Sequence, residues 1–189
     1  MTKKQSRALW CAALLALAAA LVYYNGFPPA KGVAALPVSY DSDAPQGFHP
    51  GEQLPDFTLA RTDGDAFTLS QYRGKATVIN LWATWCTPCV NELPHFDRLQ
   101  KQHPDDVMVL AIHSNLITDD VSAYLSAFDY GIAFAIDADG EVIAALGGSL
   151  MLPQTIVLNR YGEVIYNKTG SVTYEALEEL IAEALRAED

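Results

Sequence analysis

Cys86 and Cys89, in the run Trp85-Cys86-Thr87-Pro88-Cys89, are the residues whose type and spacing point most directly to chemistry. Two cysteines separated by two residues at the start of a helix lie one turn apart, near enough to close a small disulfide. A sulfur at the first turn faces unpaired backbone N–H groups and the positive end of the helix dipole, so Cys86 is expected to ionise below the range of a free thiol. Pro88 suits the first turn, where its missing N–H is not needed. Cys89, one turn deeper and shielded, is expected to stay protonated until it is required. The Cys86 thiolate then attacks a disulfide and forms a mixed disulfide. Cys89, once deprotonated, attacks the Cys86 sulfur, releases the reduced partner and leaves Cys86–Cys89 oxidised. Run backwards, the same pair oxidises dithiols, and the motif does not set the direction.

Two other uses of the pair fit less well. A zinc knuckle needs four ligands, yet the sequence has no second CxxC and its remaining cysteine, Cys11, belongs to the amino-terminal segment; His95, His103 and His113 could in principle contribute. A purely structural disulfide suits an exported protein, but so short a loop at a strand-to-helix junction removes little chain entropy.

The elements that must hold this motif can be read from periodicity. Phe57 and Leu59, then Phe67 and Leu69, alternate with polar neighbours across Thr62-Asp63-Gly64-Asp65, which predicts a hairpin. TVINLW at 77–82 is a short apolar strand that ends where the cysteine motif begins. Val90, Leu93, Phe96 and Leu99 then form an inward helical stripe, interrupted by Pro94. VMVLAI at 107–112 is too apolar to be half exposed and predicts a central parallel strand. Thr118 can cap a helix with Asp119 and Asp120 in its first turn and Val121, Leu125 and Phe128 facing inward. A strand over Ile132–Ile136, a short helix over 141–146, a hairpin joining Thr155–Leu158 to Val164–Asn167, and a helix from Thr173 to about Ala187 complete the pattern. That last helix places Leu177, Leu180, Ile181, Ala184 and Leu185 on one face. The alternation calls for a layered α/β domain with a mixed central sheet, helices on both faces and an N-terminal β-hairpin.

The chain of 189 residues suits one domain with an appendage. Lys3, Lys4 and Arg7 precede the uncharged run ALWCAALLALAAALVYY at 8–24, a basic start and apolar stretch typical of an export signal. Its small-residue sites lie inside the apolar run instead of after it, and Tyr23 and Tyr24 suit an interface, which favours an uncleaved anchor over a cleaved signal peptide. The basic side would then remain cytoplasmic and the rest would lie outside. Cys11 lacks the small-residue context expected of a lipid-attachment site. Residues 1–24 thus read as anchor or signal, 25–50, rich in Pro and Gly, as a linker, and 51–189 as the folded domain. The formal charge of −11 argues against nucleic-acid binding, which needs basic groups against phosphate.

With these motifs in place, the sequence resembles the thioredoxin superfamily, more narrowly the TlpA/ResA/DsbE-like group of membrane-tethered bacterial thioredoxins. The resemblance runs over roughly residues 50 to 187 and rests on NLWATWCTPCVNELP at 80–94, PDFTL with FTLSQYRGK at the front hairpin, and LPQTIVLNRYGEVI at 152–165. It implies a thioredoxin-like fold, with Cys86 as attacking thiol and Cys89 as resolving thiol. It also implies a cis-proline at Pro153, before the late strand and facing the disulfide. Glu92 lies three residues past Cys89 and shares its helix face; the resemblance implies that it tunes or deprotonates the thiols, against the plain alternative of a solvated helix glutamate. Asn80 stands where cytoplasmic thioredoxins place a buried aspartate, and it cannot titrate, which leaves Glu92 as the acid/base. Trp82 and Trp85 are expected at the core and rim of the site. The segment 131–151 resembles the family's central insert. Peroxidase chemistry is disfavoured, because the run 81–85 has no proline and Ala83 occupies the hydroxyl position.

The expected function is an extracytoplasmic protein-disulfide oxidoreductase, chiefly reducing disulfides in exported clients, with cytochrome c maturation or repair of oxidised exported proteins as possible settings. Working as a reductant there implies a membrane electron donor resembling CcdA/DsbD. No haem-ligating or flavin-binding pattern is visible, so no bound cofactor is expected. A disulfide-forming oxidase and a non-catalytic protein-binding module are the alternatives.

Overall fold

The computed structural model describes residues 47–114, 121–147 and 151–186. The apolar run at 8–24 with Cys11, the linker up to residue 46, the Thr118 cap with Asp119 and Asp120, residues 148–150 of the insert and residue 187 lie outside the described residues.

Among the described residues, seven strands and four helices follow the order expected from the periods. β1 (Thr58–Ala60) and β2 (Ala66–Thr68) pair antiparallel with Leu59 opposite Phe67, and a 3-10 turn follows at Leu69–Tyr72. β3 (Ala76–Trp82) leads into α1 (Thr87–Gln102), then β4 (Val107–Ser114), α2 (Val121–Leu125), β5 (Ala133–Asp137), α3 (Glu141–Ala145), β6 (Gln154–Leu158), β7 (Val164–Thr169) and α4 (Tyr174–Arg186). The main sheet has the order β5-β4-β3-β6-β7. β3, β4 and β5 run parallel, while β6 and β7 are antiparallel to their neighbours. A strand covered on both faces reads as a continuous apolar run, and β3 is buried at every position.

Alternation along β3 divides the core in two. Ala76, Val78 and Trp82 face Leu93, Phe96 and Leu99 of α1 together with Leu177, Ile181 and Ala184 of α4. Ile79 and Leu81 face the other way, onto Phe57, Leu59, Phe67 and Leu69 of the front hairpin and Val142 of α3. The fold is therefore thioredoxin-like, a mixed sheet with helices on both faces and an N-terminal antiparallel hairpin. Fully burying a Leu or Phe side chain stabilises by roughly 1.5–3 kcal/mol, so the two clusters fix the sheet that positions the cysteine motif.

Two details of the periodicity reading need correction. Phe128 does not face inward: it is 49% exposed, because α2 ends at Leu125 and the helical period does not carry beyond it. Phe128 instead stacks at the surface on Tyr124 and Tyr130, with ring centroids 5.1 and 5.3 Å away. On α1 the buried residues are Cys89, Glu92, Leu93, Phe96 and Leu99, so Val90 lies at the edge of the inward face. Pro94 is exposed within this continuous helix.

Candidate functional site

The backbone leaves β3 at Trp82 and reaches α1 through three residues, Ala83 to Trp85. Two hydrogen bonds shape this passage: Cys86 N–H donates to Ala83 O at 3.1 Å, and Thr84 N–H donates to His113 Nε2 of β4 at 3.3 Å. Cys86 then caps α1 in an extended conformation, its Sγ accepting the Cys89 N–H at 3.3 Å. Ser, Thr, Asn or Asp oxygen usually fills that role; here sulfur receives the orphan donor and stands at the positive end of the helix.

Cys86 and Cys89 are joined in a disulfide with Cα atoms 5.3 Å apart. Cys86 keeps a small exposed surface, 5%, whereas Cys89 has none. An incoming group therefore reaches Cys86 first. Trp85 is half exposed beside it and Trp82 is fully buried, the rim and core positions expected.

Behind the disulfide, Glu92 is buried rather than solvated. Its Oε1 accepts the Asn80 Nδ2–H at 2.8 Å, and its Oε2 accepts the Val172 N–H at 3.0 Å. Burial pushes the Glu92 carboxyl from the ordinary 4.5 up to about 7, with the bonds from Val172 and Asn80 acting in the opposite direction. A carboxylate near neutrality can both take and return a proton. Tyr166 of β7 is close enough that the Glu92 charge, after burial itself, raises its hydroxyl above the usual phenol range. The Val172 carbonyl in turn bonds His95 Nδ1 at 3.2 Å. Residue 172 is thus held to α1 on both sides of its backbone.

The Leu152–Pro153 peptide is cis, and Pro153 is buried with its carbonyl accepting the Gly170 N–H at 2.8 Å. In the β3–β6 ladder Leu81 pairs with Gln154. One step further on each strand brings Pro153 to the level of Trp82, at the sheet end from which the cysteine motif departs. Cys86, Cys89, Glu92 and Pro153 thus converge on one end of the sheet.

The three histidines weighed as metal ligands have separate partners: His95 bonds Val172, His103 pairs with Glu178 at 3.2 Å, and His113 holds the Thr84 N–H. Among the described residues no group of three or more His, Cys, Asp or Glu is arranged to hold a metal ion. Sequence reasoning missed Val172, which acts through a backbone N–H that any residue except proline supplies. It also missed Thr155, a buried residue of β6 directly opposite Asn80. The sequence signal for Thr155 was its place two residues after Pro153, in a strand otherwise apolar from 156 to 158.

A redoxin family profile matches residues 49–185. The chain is 31% identical over 132 residues to the thiol-disulfide oxidoreductase ResA of Halalkalibacterium halodurans, covering 69% of this chain and 74% of that one. It is also 31% identical over 181 residues to ResA of Geobacillus kaustophilus, covering 94% and 95% respectively. Among solved structures it is similar to a Chlorobium tepidum protein assigned as a thiol:disulfide interchange protein of DsbE type, with a TM-score of 0.67 and 26% identity over 73% of this chain and 99% of that one.

Proposed function

The chain belongs to the thioredoxin superfamily, as a redoxin of the TlpA/ResA/DsbE-like group of thiol-disulfide oxidoreductases, and from that premise we propose that it reduces disulfides of exported client proteins outside the cytoplasm. The observation that carries the proposal is the pairing of a capping sulfur at Cys86 with a buried carboxyl, Glu92, one turn beyond Cys89.

In the reduced protein the Cys86 thiolate, stabilised by the Cys89 N–H and the helix dipole, attacks one sulfur of the client disulfide. The other client sulfur leaves as thiolate and takes a proton. Cys89 gives its proton to ionised Glu92 and attacks Cys86 Sγ, which breaks the mixed disulfide and expels the second client thiolate. Glu92 exchanges one buried negative charge for another in this step, so the Cys89 thiolate never shares its pocket with a second anion. The proton on Glu92 is returned when Cys86–Cys89 is reduced again. Pro153 has no N–H to offer and closes one side of the site, and Trp85 supplies apolar contact at the rim.

The location and the partners belong to the same proposal. Lys3, Lys4 and Arg7 before the apolar run at 8–24 support a single membrane anchor with the domain outside. Among the described residues no helix is long and apolar enough to cross a membrane, and the apolar run lies outside them. Reduction in that compartment needs electrons from a membrane donor of the CcdA/DsbD kind. Cytochrome c apoproteins and other exported thiol proteins are the clients that such chemistry suits.

Cys89→Ala, expressed in the native compartment, is expected to accumulate a mixed disulfide through Cys86 that collapses on reduction and can be identified by mass spectrometry. Captured clients joined to Cys86 through one cysteine, with the other cysteine of their former disulfide left as a free thiol, support reduction. If Cys86→Ala kept full cellular function, the dithiol reading would fail.

A further inference from the structure

We infer that Asn80 is a two-position switch: its carboxamide turns over as Glu92 gains and loses a proton, and the Thr155 hydroxyl is the partner that serves both orientations. The inference deepens the role proposed for Glu92 and rests on that residue exchanging the proton at the site.

Both oxygens of Glu92 face hydrogen-bond donors. Oε2 meets the Val172 N–H and Oε1 meets the Asn80 Nδ2–H. An ionised carboxylate accepts from both, but a neutral carboxylic acid carries a proton that itself needs an acceptor. The Val172 N–H belongs to the backbone and cannot be inverted, so Oε2 stays an acceptor and the proton must go to Oε1. There it would confront the Asn80 NH₂. Rotating the amide half a turn about its terminal torsion substitutes Oδ1 for Nδ2 with almost no change of shape, and the Glu92 O–H then donates to Oδ1.

The same half turn brings Nδ2 to where Oδ1 had been. Asn80 Oδ1 and Thr155 Oγ1 are both buried without a hydrogen-bond partner among the described residues, and Asn80 and Thr155 are direct partners in the β3–β6 ladder. Cβ atoms of such cross-strand pairs lie about 4.5–5.5 Å apart, so a rotation of either side chain lets the two polar ends meet. A hydroxyl donates or accepts a hydrogen bond: the Thr155 O–H donates to Oδ1 when Glu92 is ionised, and Thr155 Oγ1 accepts the Nδ2–H when Glu92 is neutral. No apolar residue at 155 could do either. The rise of the Glu92 carboxyl to about 7 supports the occupation of both forms near neutral pH.

Other ionisable groups around Glu92 are few. Cys86 and Cys89 of the same helix are silent while joined; Tyr166 approaches from β7. His95 reaches Glu92 through the Val172 peptide. On α4, Tyr174 and Glu178 bond with Gln102 and His103 at the far end of α1, beside Arg98.

The test uses the full-length oxidised protein in detergent micelles, with the Asn80 side-chain NH₂ and the Glu92 carboxyl carbon followed by NMR from pH 5 to pH 9. The two signals are expected to move with one midpoint, and the nuclear Overhauser contacts of the Asn80 NH₂ protons to pass from the Glu92 methylenes at high pH to the Thr155 methyl at low pH. A parallel titration of His95→Gln keeps imidazole ionisation out of the result. In Glu92→Gln the Val172 N–H retains the amide oxygen, the new NH₂ faces Asn80, and the low-pH arrangement is expected at every pH. Asn80 contacts that stay with residue 92 throughout the titration, or a Glu92→Gln protein in the high-pH arrangement, would overturn the switch. Neither readout involves turnover, so the loss of activity expected in Glu92→Gln can fail independently.

Discussion

Asn80 and Glu92 meet at 2.8 Å between the central strand and the helix that carries the cysteines, so the group that cannot titrate holds the one that does. In the mechanism proposed above, the acid/base role that asparagine on the strand cannot fill falls one layer out, to Glu92 on α1. With the Glu92 carboxyl at about 7, its proton-accepting form is lost as pH falls below that value. Resolution of a mixed disulfide by Cys89 is therefore expected to slow below pH 7 in the wild type. Glu92→Gln should be slower at pH 7 by about 10²-fold and lack that inflection. Stopped-flow reduction of a model disulfide across pH 5–9 measures both.

The same carboxyl makes folding depend on pH. Its value is raised on folding, so the native state holds the proton more tightly than the unfolded chain. The stability it contributes is complete below about 4.5 and is lost as pH climbs to about 7. Over that window the unfolding free energy of Glu92→Gln, relative to wild type, should rise by about 3 kcal/mol at most, from the shift at 1.36 kcal/mol per unit. Denaturant melts of the oxidised proteins at pH 4.5 and 8 provide the comparison.

The capping bond from Cys89 N–H to Cys86 Sγ bears on the reduced pair. Cys86 should react with iodoacetamide first, with its rate reaching half its maximum below about pH 8.5, the range of a free thiol. Cys89 should react only slowly while the fold is intact. Alkylation mapped by mass spectrometry as a function of pH distinguishes the two sulfurs; equal reactivity would contradict the capping geometry.

Phe96 and Phe128 offer a contrast within one residue type. Phe96 is fully buried between the sheet and α1, and Phe128 is half exposed against two tyrosines. Phe96→Ala should cost about 3–5 kcal/mol. Phe128→Ser should cost less, about 1–2 kcal/mol, the worth of its two surface ring contacts. Thermal and urea unfolding of the two variants give the values.

Much of this architecture was legible in the residues. TVINLW and VMVLAI announced the two central strands because a strand covered on both faces must be apolar throughout, and Cys86-Thr87-Pro88-Cys89 marked the helix start because cap, proline and spacing agree there. The cis geometry at Pro153 and the special place of Glu92 came from the family resemblance, and periodicity alone would not have supplied them. Phe128 misled because a helical period continues on paper beyond the residue at which the helix stops. Val172 left no trace because its contribution is a backbone donor. Thr155 escaped because its importance depends on pairing with Asn80, a register that no local pattern prints.

That pairing has a further consequence for how such a chain can change. Because side chains alternate along a strand, a slip of one residue at the seam between β3 and β6 would turn Asn80 or Thr155 to the hairpin side and put Ile79 or Leu81, or Gln154 or Ile156, in its place. The seam therefore resists insertion and deletion, as does the end of β7 that leads to Gly170 and Val172, whereas the outer edge at β5 and its helix can be lengthened without disturbing either. Diversification by added segments is thus steered to the β5 flank, where the surface can be remodelled while the contacts among Asn80, Glu92 and Val172 are kept.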